Sequence, residues 1–324
     1  MINGFKILDN NDVNVSIIEY LNKGAMRGQY LGFPLLHEHY TMSLGGCTDW
    51  TGSGGSGKSE FLLELLLNTS QYYGWVHLVY VPDVGDKNEV LAILMHKLTG
   101  KTFDKRFKHN LINEAEIYKW LPWILDHFKI VHKTDLKAKI TPYQFWDLSV
   151  EVKKQNSGKL HTATIDSWKD LKHGTGITGE TFSRDDKYLD DVLSYRNAMA
   201  EEHKIHFHTI IHPLKTEKDK NGLRIAATPY DLKGGTAWYD NGKVMITVHR
   251  VDRTDNEVEV IINKSKPKSV AKNGIVKMFF DVSKARFYAE IDGQKRYAQQ
   301  EYFKPIGLSL DLPNSENDDD DVPF

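Results

Sequence analysis

The segment Gly52-Ser53-Gly54-Gly55-Ser56-Gly57-Lys58-Ser59 carries the strongest chemical signal in this 324-residue chain. It fits G-x-x-x-x-G-K-[ST] and runs directly into an apolar stretch of helical character. Glycines at this spacing let backbone N–H groups turn inward around a polyphosphate. A helix N-terminus behind them adds unpaired donors and a positive dipole end. Lys58 can then reach the β- and γ-phosphates of ATP, and the Ser59 hydroxyl can ligate Mg²⁺. A plain Gly/Ser-rich loop is the duller alternative, and the βα context argues against it.

A magnesium-bound phosphate needs an acidic anchor. His161-Thr162-Ala163-Thr164-Ile165-Asp166 supplies one, a carboxylate at the C-terminal end of an apolar-leaning strand, where open α/β sheets bind their ligands. Asp166 is expected to hold the metal, although a strand-end Asp can also simply start a turn. Asp83 follows the strand 75–81 and is the candidate base or water-orienting group; its ordinary alternative is helix capping. His206, His208 and His212 share one face of a strand by alternation. No cysteine or neighbouring carboxylate completes a metal shell there, so His212, at the strand end, reads as a sensor of the γ-phosphate.

The elements that must position these groups alternate. Helices are expected over 62–73, 90–98, 113–127, 142–155 and 185–202, with strands at 75–81, 128–132, 161–165 and 205–211. Gly74 sits where a left-handed cap is needed, Asp86 with Glu89 forms a capping box, and Thr141-Pro142 opens a helix. Strands at 243–250, 257–263, 275–281 and 286–291 then follow without helices, joined by turns at 254–256 and 282–284. The fold class is therefore α/β: a mostly parallel sheet flanked by helices, with antiparallel strands at its C-terminal edge.

Composition excludes several classes. Forty-two Lys and Arg stand against 44 Asp and Glu, a net charge of −2. Six of those acids, and no Lys or Arg, lie in residues 305–324; removing the six from the 44 leaves 38 against 42, a basic body with an acidic tail. The single Cys47 rules out an internal disulfide and a thiolate-rich zinc site. No apolar run reaches the length of a membrane span and the start lacks a signal-peptide core, so a cytoplasmic setting is expected. Residues 1–40, with a short helical stretch at 15–22, look too small for a core of their own and suit a subunit-docking arm. Residues 41–300 form the catalytic domain.

Taken together, these motifs resemble the RecA-like ATPase of hexameric replicative helicases of the DnaB and Twinkle type, including phage primase-helicases. The resemblance runs from about residue 32 to 291. Gly52–Ser59 matches the first motif; Tyr80-Val81-Pro82-Asp83 is similar to the segment carrying the catalytic carboxylate; Ile165-Asp166-Ser167-Trp168 resembles the second motif. Ile210-Ile211-His212-Pro213-Leu214-Lys215 is similar to the Twinkle-type sensor, and Asn263-Lys264-Ser265-Lys266 to the segment that reaches a neighbour's nucleotide. Asp83 stands where the family has Glu, and Lys266 where it has an arginine finger; Lys268 is an alternative in the same Lys-Pro-Lys run. Lysine lacks the guanidinium fork.

The resemblance implies a homo-oligomeric ring, commonly of six, with ATP and Mg²⁺ between subunits and single-stranded DNA through the centre, moved 5′ to 3′. Lys172–Phe182, and the later loop with Lys215, Lys218, Lys220, Arg224 and Lys233, would line the pore. The compact architecture points to a phage or mobile element. The tail ends Asp318-Asp319-Asp320-Asp321-Val322-Pro323-Phe324 and resembles the tip of bacterial single-stranded DNA-binding proteins. Asp320, Asp321, Val322, Pro323 and Phe324 are thus expected to dock on a replication protein that reads such tips. Two rivals to a helicase stand beside it: a DNA loader or recombination mediator that does not unwind, and a catalytically weak ATP-binding scaffold.

Overall fold

A computed structural model describes residues 27–298 except 216, 221 and 253, together with residues 4, 7–8, 17–22 and 24. The acidic tail and its tip, Asp320 to Phe324, lie outside the described residues, as do residues 1–3, 5–6, 9–16, 23 and 25–26 of the expected N-terminal arm; residues 17–22 of that arm are helical.

Ten strands make one sheet in the order β10-β9-β8-β7-β6-β1-β5-β4-β2-β3. β1 (Cys47–Thr51), β2 (His77–Tyr80), β3 (Phe128–Ile130), β4 (Thr162–Asp166), β5 (His206–Ile210) and β6 (Val244–His249) run parallel. β7 (Glu257–Ser265), β8 (Gly274–Asp281), β9 (Arg286–Ile291) and β10 (Gln294–Tyr297) extend it antiparallel from β6. The helices are α1 (Pro34–His39), α2 (Lys58–Tyr73), α3 (Lys87–Thr99), α4 (Glu114–His127), α5 (Pro142–Gln155), α6 (Asp185–His203) and α7 (Gly235–Asn241).

Strand alternation splits the core into two layers. Val79 and Val81 face a layer with Phe61, Leu65 and Leu94 of α2 and α3; Leu78 and Tyr80 face the other, with Trp146, Val192 and Trp238 of α5, α6 and α7. The local signals hold. Gly74 caps α2 at φ 65°, Asp86 and Glu89 form a full capping box on α3, and Thr141 with Gln144 forms another on α5.

The first part of the domain departs from expectation. Leu31, Phe33, Leu36, Tyr40 and Met42 are all buried in this chain's own core. The Thr41 amide donates to Val270 O and Asn68 Nδ2 to Leu31 O. Residues 31–42 are therefore packed into the core of the sheet and its helices, whereas the sequence pattern places the domain boundary at 41. Phe33 stacks on Phe61 of α2 and Tyr40 meets Trp50 of β1 edge-on, so the apolar burial of this segment comes from the sheet and helix it lies on.

Two buried ion networks fix the layers. Asp49 in β1 receives both terminal nitrogens of Arg196 in α6, at 2.5 and 3.1 Å, with both side chains fully buried. Glu64 of α2 receives Arg286 Nε at 2.7 Å and the Phe287 amide at 2.9 Å, while Lys97 of α3 donates to Ala285 O at 2.7 Å. This second network fastens the antiparallel extension to the helix that follows the glycine-rich loop. Breaking such a buried pair from one side costs about 3–5 kcal/mol.

Candidate active site

The loop Gly52–Gly57 joins β1, at the centre of the sheet, to α2. A Cβ on Gly52, whose φ is 145°, would stand 2.2 Å from Val248 O, so only glycine lets the loop leave β1 beside β6. Gly57 takes the N-cap position of α2 at φ 93°, and no side chain caps the helix. The first-turn amides of α2 are thus left to an incoming anion, as a phosphate cradle requires. Lys58 Nζ donates to Gly52 O at 2.9 Å and to Ser53 O at 3.0 Å, which holds its charge over the loop. Burial lowers the Lys58 ammonium to about 8, against the opposing pull of Asp166 and Asp83.

Asp166 ends β4 directly across from α2. Ser59 Oγ donates to its Oδ2 in a short contact. The other oxygen, Oδ1, is buried and has no hydrogen-bond partner among the described residues. Burial raises this carboxyl to about 6, the Ser59 hydrogen bond working the other way. A buried carboxylate oxygen without a donor, beside a serine hydroxyl, is a chemically suitable pair of hard oxygen ligands for Mg²⁺. The residues therefore fit the metal that the loop motif implies.

Asp83 and His212 complete the cluster. Ligand atoms of Asp83, Asp166 and His212 all lie within 4.8 Å of one another. His212 Nε2 is 2.9 Å from Asp83 Oδ2, and the Asp83 amide donates to Asp166 O at 3.3 Å. Burial pulls Asp83 upward, but hydrogen bonds from Lys169 and His212 outweigh it and hold the carboxyl below its ordinary value. Burial, with Lys58 second, lowers His212. The four groups come from the C-terminal ends of parallel neighbours: Asp83 just after β2, Asp166 from β4, His212 just after β5 and the loop from β1.

Not every candidate joins them. His206 and His208 stay inside the sheet. His206 Nε2 meets Thr48 Oγ1 at 2.9 Å, its Nδ1 meets Ser43 O at 2.7 Å, and Trp50 Nε1 donates to His208 Nδ1 at 3.1 Å. The three-histidine face read from alternation is therefore broken: the strand ends at Ile210, and His212 leaves it for Asp83.

Lys264 is buried and donates to Tyr239 O and, at 3.3 Å, to Asp240 O, with its ammonium 4.6 Å from the Tyr239 ring. Within the chain it is a structural cation near the end of β7. Lys266 and Lys268 are exposed and line an open cleft of about 690 Å³ beside it.

Of the five basic residues after His212, Lys215, Lys218 and Lys220 are exposed. Lys233 pairs with Asp185 at 2.8 Å. Arg224, across a bridge from Lys218, turns back to donate to Gly54 O of the phosphate loop at 3.3 Å. The residue missed entirely is Lys169, whose ammonium sits 2.7 Å from Asp83 Oδ1. No sequence signal marks it, because its partner is 86 positions away.

No protein-family model and no curated protein matches this chain. Solved structures do. One, the ATPase domain of another protein, superposes with a TM-score of 0.67 at 15% identity, covering 87% of this chain and 99% of that one. The structure of a DnaB-like replicative helicase and its interactions with primase gives a TM-score of 0.66 at 17% identity, over 86% and 68%. The chain shares the fold of those two structures. The sheet agrees with the expectation from sequence, parallel strands first and an antiparallel edge last. None of the described helices is long and apolar enough to cross a membrane.

Proposed function

We propose that the chain is an ATP-dependent, ring-forming translocase or helicase acting on single-stranded DNA. The observation that carries this reading is the convergence of Asp83, Asp166 and His212 within 4.8 Å, on a RecA-like helicase fold whose glycine loop bears Lys58 and Ser59. Phosphoryl transfer asks little covalent chemistry of a protein; it asks for positioning and for charge placed against the phosphates.

Each residue has a part in that task. The α2 amides and Lys58 hold the β- and γ-phosphates. Ser59 and Asp166 would hold Mg²⁺, which when bound neutralises phosphate charge. Asp83 orients the attacking water and accepts its proton. His212 ties Asp83 to the end of β5, so a change at the γ-phosphate is passed to the loop that begins at Lys215. The exposed Lys215, Lys218 and Lys220 are suited to gripping a DNA backbone without reading sequence. Lys266, with Lys268 as alternative, stands on an open cleft from which it would reach a neighbour's nucleotide; Lys264 supports that edge from within. Pro323 and Phe324, after Asp320, Asp321 and Val322, would recruit a replication protein.

Unwinding of a forked DNA substrate is the direct test. ATP-dependent strand displacement that disappears in Lys58→Ala supports the helicase; ATP hydrolysis and strand binding without displacement would assign the chain to the loader class instead. Size-exclusion with ATP and magnesium tests the ring, which a persistent monomer contradicts.

A further inference from the structure

Lys169 contacts the site but has no part in the chemistry above. Its ammonium engages one oxygen of Asp83 at 2.7 Å while His212 engages the other at 2.9 Å. Both oxygens of the water-orienting carboxylate are therefore occupied by donors. The ion pair faces solvent, with side chains 57% and 32% exposed. Exposed pairs of this kind shift an equilibrium by less than about fivefold, so this contact is readily exchanged for another.

The turn that carries Lys169 is fastened to a nearby loop. Ser167 N and Oγ both donate to Asp170 Oδ2, at 3.3 and 2.9 Å, which closes the turn around Lys169. The Trp168 ring stands edge-on to Trp238, 5.1 Å away, and 4.8 Å from the His173 ring. His173 Nε2 is 2.7 Å from Trp168 O. From His173 the chain enters a small hairpin, closed by the Thr175–Thr181 bridge and by Phe182 N donating to Gly174 O at 3.0 Å. The loop 172–182 is thus anchored at its start to Trp168, the residue that precedes Lys169.

We propose that Lys169 is a brake on Asp83 which single-stranded nucleic acid releases. A strand lying on 172–182 offers a phosphate to the ammonium and shifts the Trp168–His173 contact, and Asp83 is left free to orient water. The released state is favoured because only there does the lysine charge meet the strand, which is the differential contact that any ligand-driven shift requires. Lys169 is a positioning residue in this scheme, and the scheme rests on the ATPase reading given above.

Steady-state ATP hydrolysis by the full chain, with and without poly(dT), tests it in wild type, Lys169→Met and Lys169→Arg. Lys169→Met is expected to raise the DNA-free kcat by about three- to fivefold, leave KM for ATP unchanged and leave the poly(dT)-stimulated kcat at the wild-type level, so that stimulation shrinks by that factor. Lys169→Arg keeps the ion pair and the wild-type ratio. A Met variant in which both rates fall together, or neither changes, overturns the brake. Failure of the functional reading has a different signature: hydrolysis that is absent in wild type, or equal in Lys58→Ala, whatever stands at 169.

Discussion

β5 carries histidines into two very different settings. His206 opens the strand and His208 stands at its middle, both fully buried and held by Thr48, Ser43 and Trp50. His212 lies two residues beyond the strand end, half-exposed, against a carboxylate. All three are lowered by burial, His206 to about 4, so proton affinity alone does not separate them. What separates them is place and partner. In a parallel sheet the interior of a strand can only pack, whereas its C-terminal end faces the crevice where neighbouring strands also present side chains. The His206 and His208 rings pack against each other at 4.5 Å inside the sheet; the ring past the strand end meets Asp83 beside Asp166 and Lys58.

That contrast can be broken by substitution. The largest effect is expected on the crevice side. Asp83→Asn should lower kcat for ATP hydrolysis by about 10²–10⁴-fold with little change in Tm, the size expected for loss of a positioned acid–base group. His212→Ala should lower it less, by about 10-fold or more, because it acts through Asp83 and removes roughly one charge-assisted hydrogen bond.

The buried pair should answer in stability instead. Protonation of a buried His206 is disfavoured in the folded chain, so stability is present above the ordinary histidine pKa and lost as pH falls from about 6.5 towards 4, by about 3 kcal/mol for that one group. His77 and His208 are lowered by burial too and act in the same direction. Thermal melts at pH 7.5 and 5.0 check this. His206→Gln should flatten the acid loss and leave ATP turnover near wild type; a collapse of turnover with unchanged melting would reverse the assignment.

A smaller effect sharpens the comparison within the site. Asp166→Asn replaces a buried carboxylate, one of whose oxygens has no partner among the described residues, with a neutral amide. The metal-free chain should gain stability by about 1–3 kcal/mol, read in denaturant melts, while losing activity. A carboxylate buried without a donor is held in place against its own solvation preference.

Much of this arrangement is legible in the residues. The glycine loop, the capping boxes and the helix-free run of late strands all announce themselves locally, because their causes lie within a few positions. Asp166 and Asp83 are also legible, as carboxylates closing apolar strands. The central strand β1 is not: Cys47-Thr48-Asp49-Trp50-Thr51 looks too polar, and Asp49 is tolerable there only because Arg196 arrives from 147 positions away. The Lys169–Asp83 pair is silent for the same reason, whereas β10 is legible locally: Asp292-Gly293, both at positive φ, forms the two-residue turn that joins it to β9. The inward turns of Lys264 and Arg224 depend on carbonyls that only the folded chain presents.

In the proposed function Lys58, Asp83, Asp166 and His212 act as one ATP-hydrolysing centre. The most direct measurement is ATP turnover in the presence of magnesium and single-stranded DNA, wild type beside Asp166→Ala. DNA-stimulated turnover is expected in wild type, with a loss of about 10² or more in the variant, the scale seen when a key charge-stabilising group is removed. Equal turnover in the two proteins would contradict it.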